Sequence, residues 1–237
     1  MAFKETLEVT YDLYASTYAI KKHVPKILGK FEMLSLDTET RSTYNKETRK
    51  EASAYLKEGY VKDEMYKQAR VVSASSGLSF PSIVNTTHFI FGESKTHSSI
   101  IVCDSEEKEM MMWQMIADYQ STFLIHNALF DLKIMYQRIG QLPKNYIDTS
   151  LLVKCLINHV NVWKAKTSLK ELMGEYYESK WSIMNEYEPE NLKNKDFLAY
   201  CAIDGAATMY LYDLIQKEVK NVEYSSRWQY EDDDIPF

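Results

Sequence analysis

The stretch Met33-Leu34-Ser35-Leu36-Asp37-Thr38-Glu39-Thr40 decides how this chain is read. An apolar run ends in two carboxylates, and residues 33–39 suit a buried strand. Successive side chains of a strand point to opposite faces, so Asp37 and Glu39 share one. Two carboxylates converging at a strand end repel each other unless a cation sits between them. Hard oxygen ligands select Mg²⁺ or Mn²⁺ over Zn²⁺. Taken alone, an Asp-x-Glu pair is also what many solvated strand ends show.

Two more motifs extend the pattern. Ile125-His126-Asn127-Ala128-Leu129-Phe130-Asp131 runs from an apolar strand into a helix. By itself Asp131 suits the positive end of a helix dipole, and Asn127 suits a helix cap. Tyr200-Cys201-Ala202-Ile203-Asp204 lies in an apolar helical run, where residues four apart share a face. A buried aspartate needs a partner, and no Lys or Arg stands nearby in the sequence. A metal answers that need. Together Asp37, Glu39, Asp131 and Asp204 predict two divalent cations and hydrolysis of a phosphodiester.

Residues 1–32 read as a helical extension, with Leu7, Tyr11, Tyr14 and Tyr18 at spacings of three and four. Residues 41–69 are polar and read as an insertion. Strand-like runs follow at Val71-Val72-Ser73-Ala74, Thr87-His88-Phe89-Ile90-Phe91, Ile100-Ile101-Val102-Cys103, Thr122-Phe123-Leu124-Ile125 and Tyr146-Ile147. Helices are expected over 105–119, from Ala128 to Ile139 with Gly140 as C-cap, after a cap at Asp148 or Thr149, from Ser168 with a capping box to Glu171, and over 192–219. Strands first, then strands alternating with helices, predict an α/β domain with a mixed sheet over about 33–220.

The chain has 237 residues, 45% apolar and 26% charged, enough for a substantial core. Three cysteines, Cys103, Cys155 and Cys201, sit in apolar surroundings and read as buried thiols rather than a disulfide framework. No apolar run approaches the ~20 residues of a membrane span, and Met1-Ala2-Phe3-Lys4-Glu5 does not read as a signal peptide. A cytoplasmic, membrane-free protein is expected. The net charge of −6 argues only superficially against nucleic acid. Four of the negative charges lie at Glu231 to Asp234, and cations would offset those of the site. Lys21, Lys22, Lys26 and Lys30 form a stretch without acids. Lys46, Arg49 and Lys50 follow the first motif and are expected to contact substrate phosphates.

The combination Asp-x-Glu, Asn-x-x-Phe-Asp and Tyr-x-x-x-Asp resembles the DEDD superfamily of 3′→5′ exonucleases. Tyr200 points to its tyrosine-bearing branch, which includes the proofreading domains of family A DNA polymerases and ribonuclease D. Asp148-Thr149 and Ser168-Leu169-Lys170-Glu171-Leu172 are smaller echoes. The resemblance implies a ribonuclease-H-like mixed sheet flanked by helices. It also implies Asp37, Glu39, Asp131 and Asp204 as ligands of two Mg²⁺ or Mn²⁺ ions, and Tyr200 as the residue that orients the attacking water. Thr38 would offer its backbone to the terminal nucleotide. Asn127 and Phe130 would shape the site, Phe130 by packing, and His126 would be structural.

The last residues, Glu231-Asp232-Asp233-Asp234-Ile235-Pro236-Phe237, resemble the C-terminal tip of bacterial single-stranded-DNA-binding protein. That resemblance implies docking on partners of that protein, with Phe237 as apolar anchor, Ile235 and Pro236 beside it, and Asp232, Asp233 and Asp234 against a basic rim. Residues 221–230 would be the tether. The expected activity is removal of nucleotides from single-stranded DNA or DNA 3′ ends in replication or repair, beside a separate polymerase, in a bacterium or a virus of bacteria. A ribonuclease D-like RNA exonuclease and a non-catalytic adaptor that competes for the docking pockets are the alternatives.

Overall fold

The computed structural model describes residues 6–42, 84–156, 167–177, 181 and 191–226. The strands are β1 (Thr10–Tyr14), β2 (Met33–Ser42), β3 (Val84–Ser94), β4 (His97–Val102), β5 (Thr122–Ile125) and β6 (Asn145–Asp148). They form one mixed sheet in the order β1-β4-β3-β2-β5-β6. β2, β3 and β4 form an antiparallel meander. β1 joins β4 in parallel, and β5 and β6 extend the other side in parallel from β2. The helices are α1 (Thr17–Lys30), α2 (Glu106–Asp118), α3 (Leu129–Ile139), α4 (Thr149–Leu156), α5 (Leu169–Met173) and α6 (Lys195–Ser226).

Each face of the sheet carries its own core. Leu34 and Leu36 of β2 pack with Ile20 and Val24 of α1, Met112 and Trp113 of α2, and Ile134 and Met135 of α3. Ile90, Ile100 and Val102 pack with Val153 of α4, Met173 of α5, and Cys201, Ala202 and Ala206 of α6. The alternation of β2 therefore settles the site before any chemistry is considered. Leu34 and Leu36 face α1 to α3, so Ser35, Asp37 and Glu39 face α6.

α6 lies unusually close to the sheet. Ser35 donates its hydroxyl to the Gly205 carbonyl (2.8 Å) and accepts from the Gly92 amide (2.9 Å). The Ser98 hydroxyl donates to the Ala202 carbonyl (2.7 Å). A Cβ on Gly92 would overlap the Gly205 carbonyl and the Ser35 hydroxyl, and one on Gly205 would come within 2.7 Å of Ile90.

The elements expected within the described residues stand, with differences at the N-terminus, in α6, which runs on to Ser226 and so into the expected tether 221–230, and at one cysteine. Residues 10–14 are a strand paired with β4 and not part of a helix, so of the expected helical extension 1–32 the described residues keep only 17–30 as helix. Val9 and Tyr11 pack in the α6 core and Tyr14 in the α1 core. This alternation of period two, carried by β-favouring Thr and Tyr, overrides the spacings of three and four. Ser16 then caps α1 by accepting from the Ala19 amide (3.1 Å). Cys103 and Cys201 are buried, whereas Cys155 is exposed on the outer side of α4, opposite buried Val153. The 41–69 insertion, the Val71–Ala74 strand, Lys46, Arg49, Lys50 and the tip Asp232, Asp233, Asp234, Ile235, Pro236 and Phe237 lie outside the described residues. Among the described residues, no helix is long and apolar enough to cross a membrane.

The glycine contact yields a test of the fold. Gly92→Ala is expected to lower stability by ~2 kcal/mol or more, because backbone and not a flexible side chain blocks the methyl. Gly29→Ala in α1 meets nothing within 4 Å and should be neutral or gain about 0.5–1 kcal/mol. Urea unfolding midpoints of the two variants measure the difference.

Candidate active site

β2 and α6 bring three carboxylates together. Asp37, Glu39 and Asp204 each present an oxygen, and these oxygens lie within 4.8 Å of one another. Asp37 and Glu39 are half-buried, and Asp204 is 6% exposed. Asp204 is not without protein partners, as the sequence suggested. Trp181 Nε1 donates to its Oδ1 (3.0 Å), and Lys170 Nζ stands 3.9 Å from the same oxygen. Lys170 also donates to the Tyr200 hydroxyl (2.7 Å) and lies 4.4 Å from the centre of that ring. Both residues come from segments distant in sequence that pack under α6, so local inspection around Asp204 could not find them. The signal for Lys170 was the Ser168–Leu172 echo, in which it is the one cation.

Asp131 reaches the site from the other face of the sheet. It is 3% exposed in the first turn of α3 and accepts from the Thr38 hydroxyl (2.5 Å). Thr38 lies between Asp37 and Glu39, so its side chain serves Asp131 while its neighbours face α6. It is buried and does not present its hydroxyl to solvent.

The loop before α3 departs from expectation. Asn127 is not the cap of α3; Ala128 is, without a side-chain bond. Asn127 adopts left-handed backbone (φ 63°), a conformation Asn tolerates better than most residues. The Asn127 and Ala128 amides instead donate to Asp148 (3.2 and 3.0 Å). Asp148 also accepts from the Ser150 amide and hydroxyl (2.9 and 2.7 Å), capping α4 as expected. His126 is structural. Its Nε2 meets the Thr167 carbonyl (3.0 Å) and must donate, so Nδ1 accepts from the Thr149 hydroxyl (3.0 Å). Burial holds its pKa below the ordinary value, which keeps the ring neutral. Phe130 is 37% exposed and belongs to neither core, so its ring is presented at the surface rather than packed.

Comparison with known proteins fits this geometry. Residues 89–220 match the profile of the 3′-5′ exonuclease family named for DNA polymerase A, more than half of the chain. The chain belongs to this 3′-5′ exonuclease family. The match covers Asp131, Tyr200 and Asp204, and the fold adds Asp37 and Glu39 from the strand preceding it. The fold is shared with RNase D of Escherichia coli (14% identity, TM-score 0.56, 91% of this chain and 47% of that one). It is shared also with the catalytic core of RRP6 from Trypanosoma brucei (14%, TM-score 0.56, 93% and 52%) and with NrnC of Brucella melitensis (9%, TM-score 0.52, 93% and 86%). The chain thus spans about half the length of the RNase D and RRP6 structures. No curated protein matches the chain.

The matched family is one of 3′-5′ exonucleases, and the carboxylates of this chain fit a cation. Burial first, then Asp204 and Glu39, push the Asp37 carboxyl well above the usual carboxylate range. Glu39 is pushed up to about 8 by burial and by Asp204. Asp131 rises to about 7 through burial, against the lowering bond from Thr38. Asp204 rises to about 6 through burial, with Lys170, Tyr200 and Trp181 restraining it. Buried oxygens that resist ionisation without compensating charge are a donor set for a hard divalent cation.

The sign of this linkage gives a prediction. The folded pKa values, about 6 to 8, lie above the unfolded carboxylate values near ~4. Between those limits the folded state binds more protons than the unfolded state, so stability falls as pH rises. In EDTA the melting temperature is expected to drop as pH rises from about 5 to 8. With Mg²⁺ or Mn²⁺ present the drop should flatten, since a cation that binds only the folded site stabilises it. Parallel thermal melts in EDTA and in metal measure this; curves of equal slope would contradict the assignment.

Proposed function

We propose that this exonuclease removes nucleotides from DNA 3′ ends with two Mg²⁺ or Mn²⁺ ions, in replication or repair. The observation that carries the reading is the convergence of Asp37, Glu39 and Asp204 within 4.8 Å, with Tyr200 one helical turn before Asp204. Asp37, Glu39 and Asp204 are the residues to hold one cation, and Asp37 with Asp131 the second. Bound there, the ions supply an activated water at neutral pH and charge for the leaving oxygen. Tyr200 holds that water by hydrogen bond. Burial and the nearby carboxylates keep its hydroxyl far above its ordinary pKa, so it stays protonated and acts as a donor rather than a base. Exposed Phe130 and Leu129, on the turn that carries Asp131, offer the terminal base an apolar face.

DNA is favoured by the family's link to DNA polymerase A and by the resemblance of the acidic tip to that of single-stranded-DNA-binding protein. A second reading, an RNA exonuclease, is favoured by the fold shared with E. coli RNase D, described as an exoribonuclease involved in structured RNA processing. The tip Asp232 to Phe237 is proposed to dock on bacterial partners of single-stranded-DNA-binding protein, Ile235, Pro236 and Phe237 filling an apolar pocket and the aspartates meeting basic residues. Such docking would bring the exonuclease to a separate polymerase.

End-labelled DNA and RNA oligonucleotides, each with Mg²⁺ and with Mn²⁺, separate the two readings. Shortening from the 3′ end of DNA ahead of RNA is expected, and the reverse order would favour the second reading. Asp37→Ala and Asp204→Ala should each lower turnover by about 10³-fold or more with the fold retained. Tyr200→Phe should cost less, because it removes one hydrogen bond and no ligand.

Docking has its own test. Removing Pro236 and Phe237 deletes burial worth roughly 1.5–3 kcal/mol, so affinity for a protein that reads the single-stranded-DNA-binding tip should fall about tenfold to hundredfold. Turnover of a short oligonucleotide should not change. A titration in which the intact chain fails to bind, or is not displaced by free tip peptide, refutes the docking.

A further inference from the structure

We propose that Lys170 is a positioning residue of the exonuclease, whose ammonium fixes the Tyr200 hydroxyl in the orientation from which it meets the attacking water. The proposal rests on the role given to Tyr200 above. Ser168 caps the short helix α5 by accepting from the Glu171 amide (3.4 Å). Leu169, Leu172 and Met173 pack against the α6 core. That docking aims the intervening Lys170 at the site, where its side chain is only 18% exposed.

The hydrogen-bond directions follow from the chemistry of the groups. A protonated lysine only donates, so in the 2.7 Å contact the Tyr200 oxygen must accept. A phenol has a single proton of its own. With one lone pair held by Lys170, that proton is directed into the carboxylate cluster, where Asp204 accepts it while no water is bound. The ammonium also sits 4.4 Å from the Tyr200 ring centre and 6.0 Å from that of Trp181, the two aromatic neighbours of Asp204. A charge-assisted bond from a buried cation holds a hydroxyl more firmly than a water would. Without Lys170 the hydroxyl keeps only Asp204 as a fixed partner, and its proton is no longer held in the orientation from which it meets the water.

A merely structural or charge-compensating lysine would also be buried here, so the test must separate these roles. Lys170→Met, Tyr200→Phe and the double variant are compared in single-turnover hydrolysis at saturating DNA and Mn²⁺. Each single variant is expected to lower the rate on the order of 10- to 100-fold, as small misplacements do. KM should stay within about twofold, because the interaction concerns orientation and not binding. The double variant should be no slower than the slower single one, since both changes remove the same interaction. Lys170→Arg should recover part of the rate, because it restores a cationic donor. Losses that multiply in the double variant would overturn the proposal. So would a raised KM with turnover kept, which assigns Lys170 to phosphate binding, or tighter Mn²⁺ binding by calorimetry with unchanged turnover, which assigns it to charge compensation. Should Lys170→Met melt below the assay temperature, Lys170→Gln takes its place in the same cycle. If Tyr200→Phe alone has no effect, the Tyr200 reading itself fails, a different outcome from uncoupled losses.

Discussion

The close approach of α6 to the sheet is the constraint on which the site depends. A helix packed on a sheet through ordinary side chains would leave Asp204 too far from Asp37 to share a cation. Here Gly205, the residue after Asp204, meets Gly92 of β3, and neither position has room for a methyl. Ser35 bridges the two backbones, and Ser98 fastens the preceding turn at Ala202. The helix face is accordingly small, with Ala202, Ala206 and Ala207 all fully buried. Burial of large side chains, the usual source of packing energy, is given up along this line. Hydrogen bonds from serine to helix carbonyls replace it and fix the depth of the helix more sharply than apolar contact could.

What the seam brings together is electrostatically unfavourable by itself. Three carboxylates meet under partial or full burial, and the fold restrains them only in part through Trp181 and Lys170. The compensating rigidity lies on the opposite face. There Glu109, 1% exposed, accepts from the Thr86 amide (2.9 Å) and from Arg138 through both Nε and Nη2. This buried pair ties β3, α2 and α3 into one unit. Breaking such a pair by removing one partner typically costs ~3–5 kcal/mol, because the other charge is left buried and alone. The site therefore stores repulsion on one side of the sheet while an ion pair satisfied by hydrogen bonds holds α3 on the other.

The sequence told most where chemistry and periodicity coincided. The strand through Asp37 and Glu39 and the helix through Tyr200 and Asp204 could be read from parity and from four-residue spacing alone. Gly140 ends α3 in left-handed backbone (φ 67°) as its position suggested. The failures have definite causes. Thr10 to Tyr14 offered both a helical and an alternating pattern, and a five-residue edge strand gives too few positions to separate them. Asn127 looked like a cap because it precedes a helix, yet the Asp148 carboxylate claims the local amides, and a contact across strands is invisible in a linear reading. Lys170 and Trp181 were missed for the same reason. Their partner Asp204 lies far along the chain, and only the packing of α5 and of Trp181 under α6 makes them neighbours.

Thr38 shows how the two faces are joined into one site. In β2 the parity that sends Asp37 and Glu39 toward α6 sends the residue between them toward α3. A hydrophobic residue at 38 would serve the core but remove the side-chain donor of Asp131, buried at the start of α3, and leave it backbone amides alone. Threonine is β-branched, which suits the strand, and its hydroxyl meets the Asp131 carboxylate directly. The loop leading into α3 is held from the other end by Asp148, whose carboxylate takes the Asn127 and Ala128 amides while capping α4. Asp131 is thus located by Thr38, on the strand that carries Asp37 and Glu39, and by a clamp that fixes the first turn of its own helix. A carboxylate that had to find its place by side-chain rotation alone would lose conformational entropy each time the site assembled. Held by buried Thr38 and by half-buried Asp148, Asp131 keeps its place in the fold, and its helix can present Leu129 and Phe130 to solvent without disturbing it.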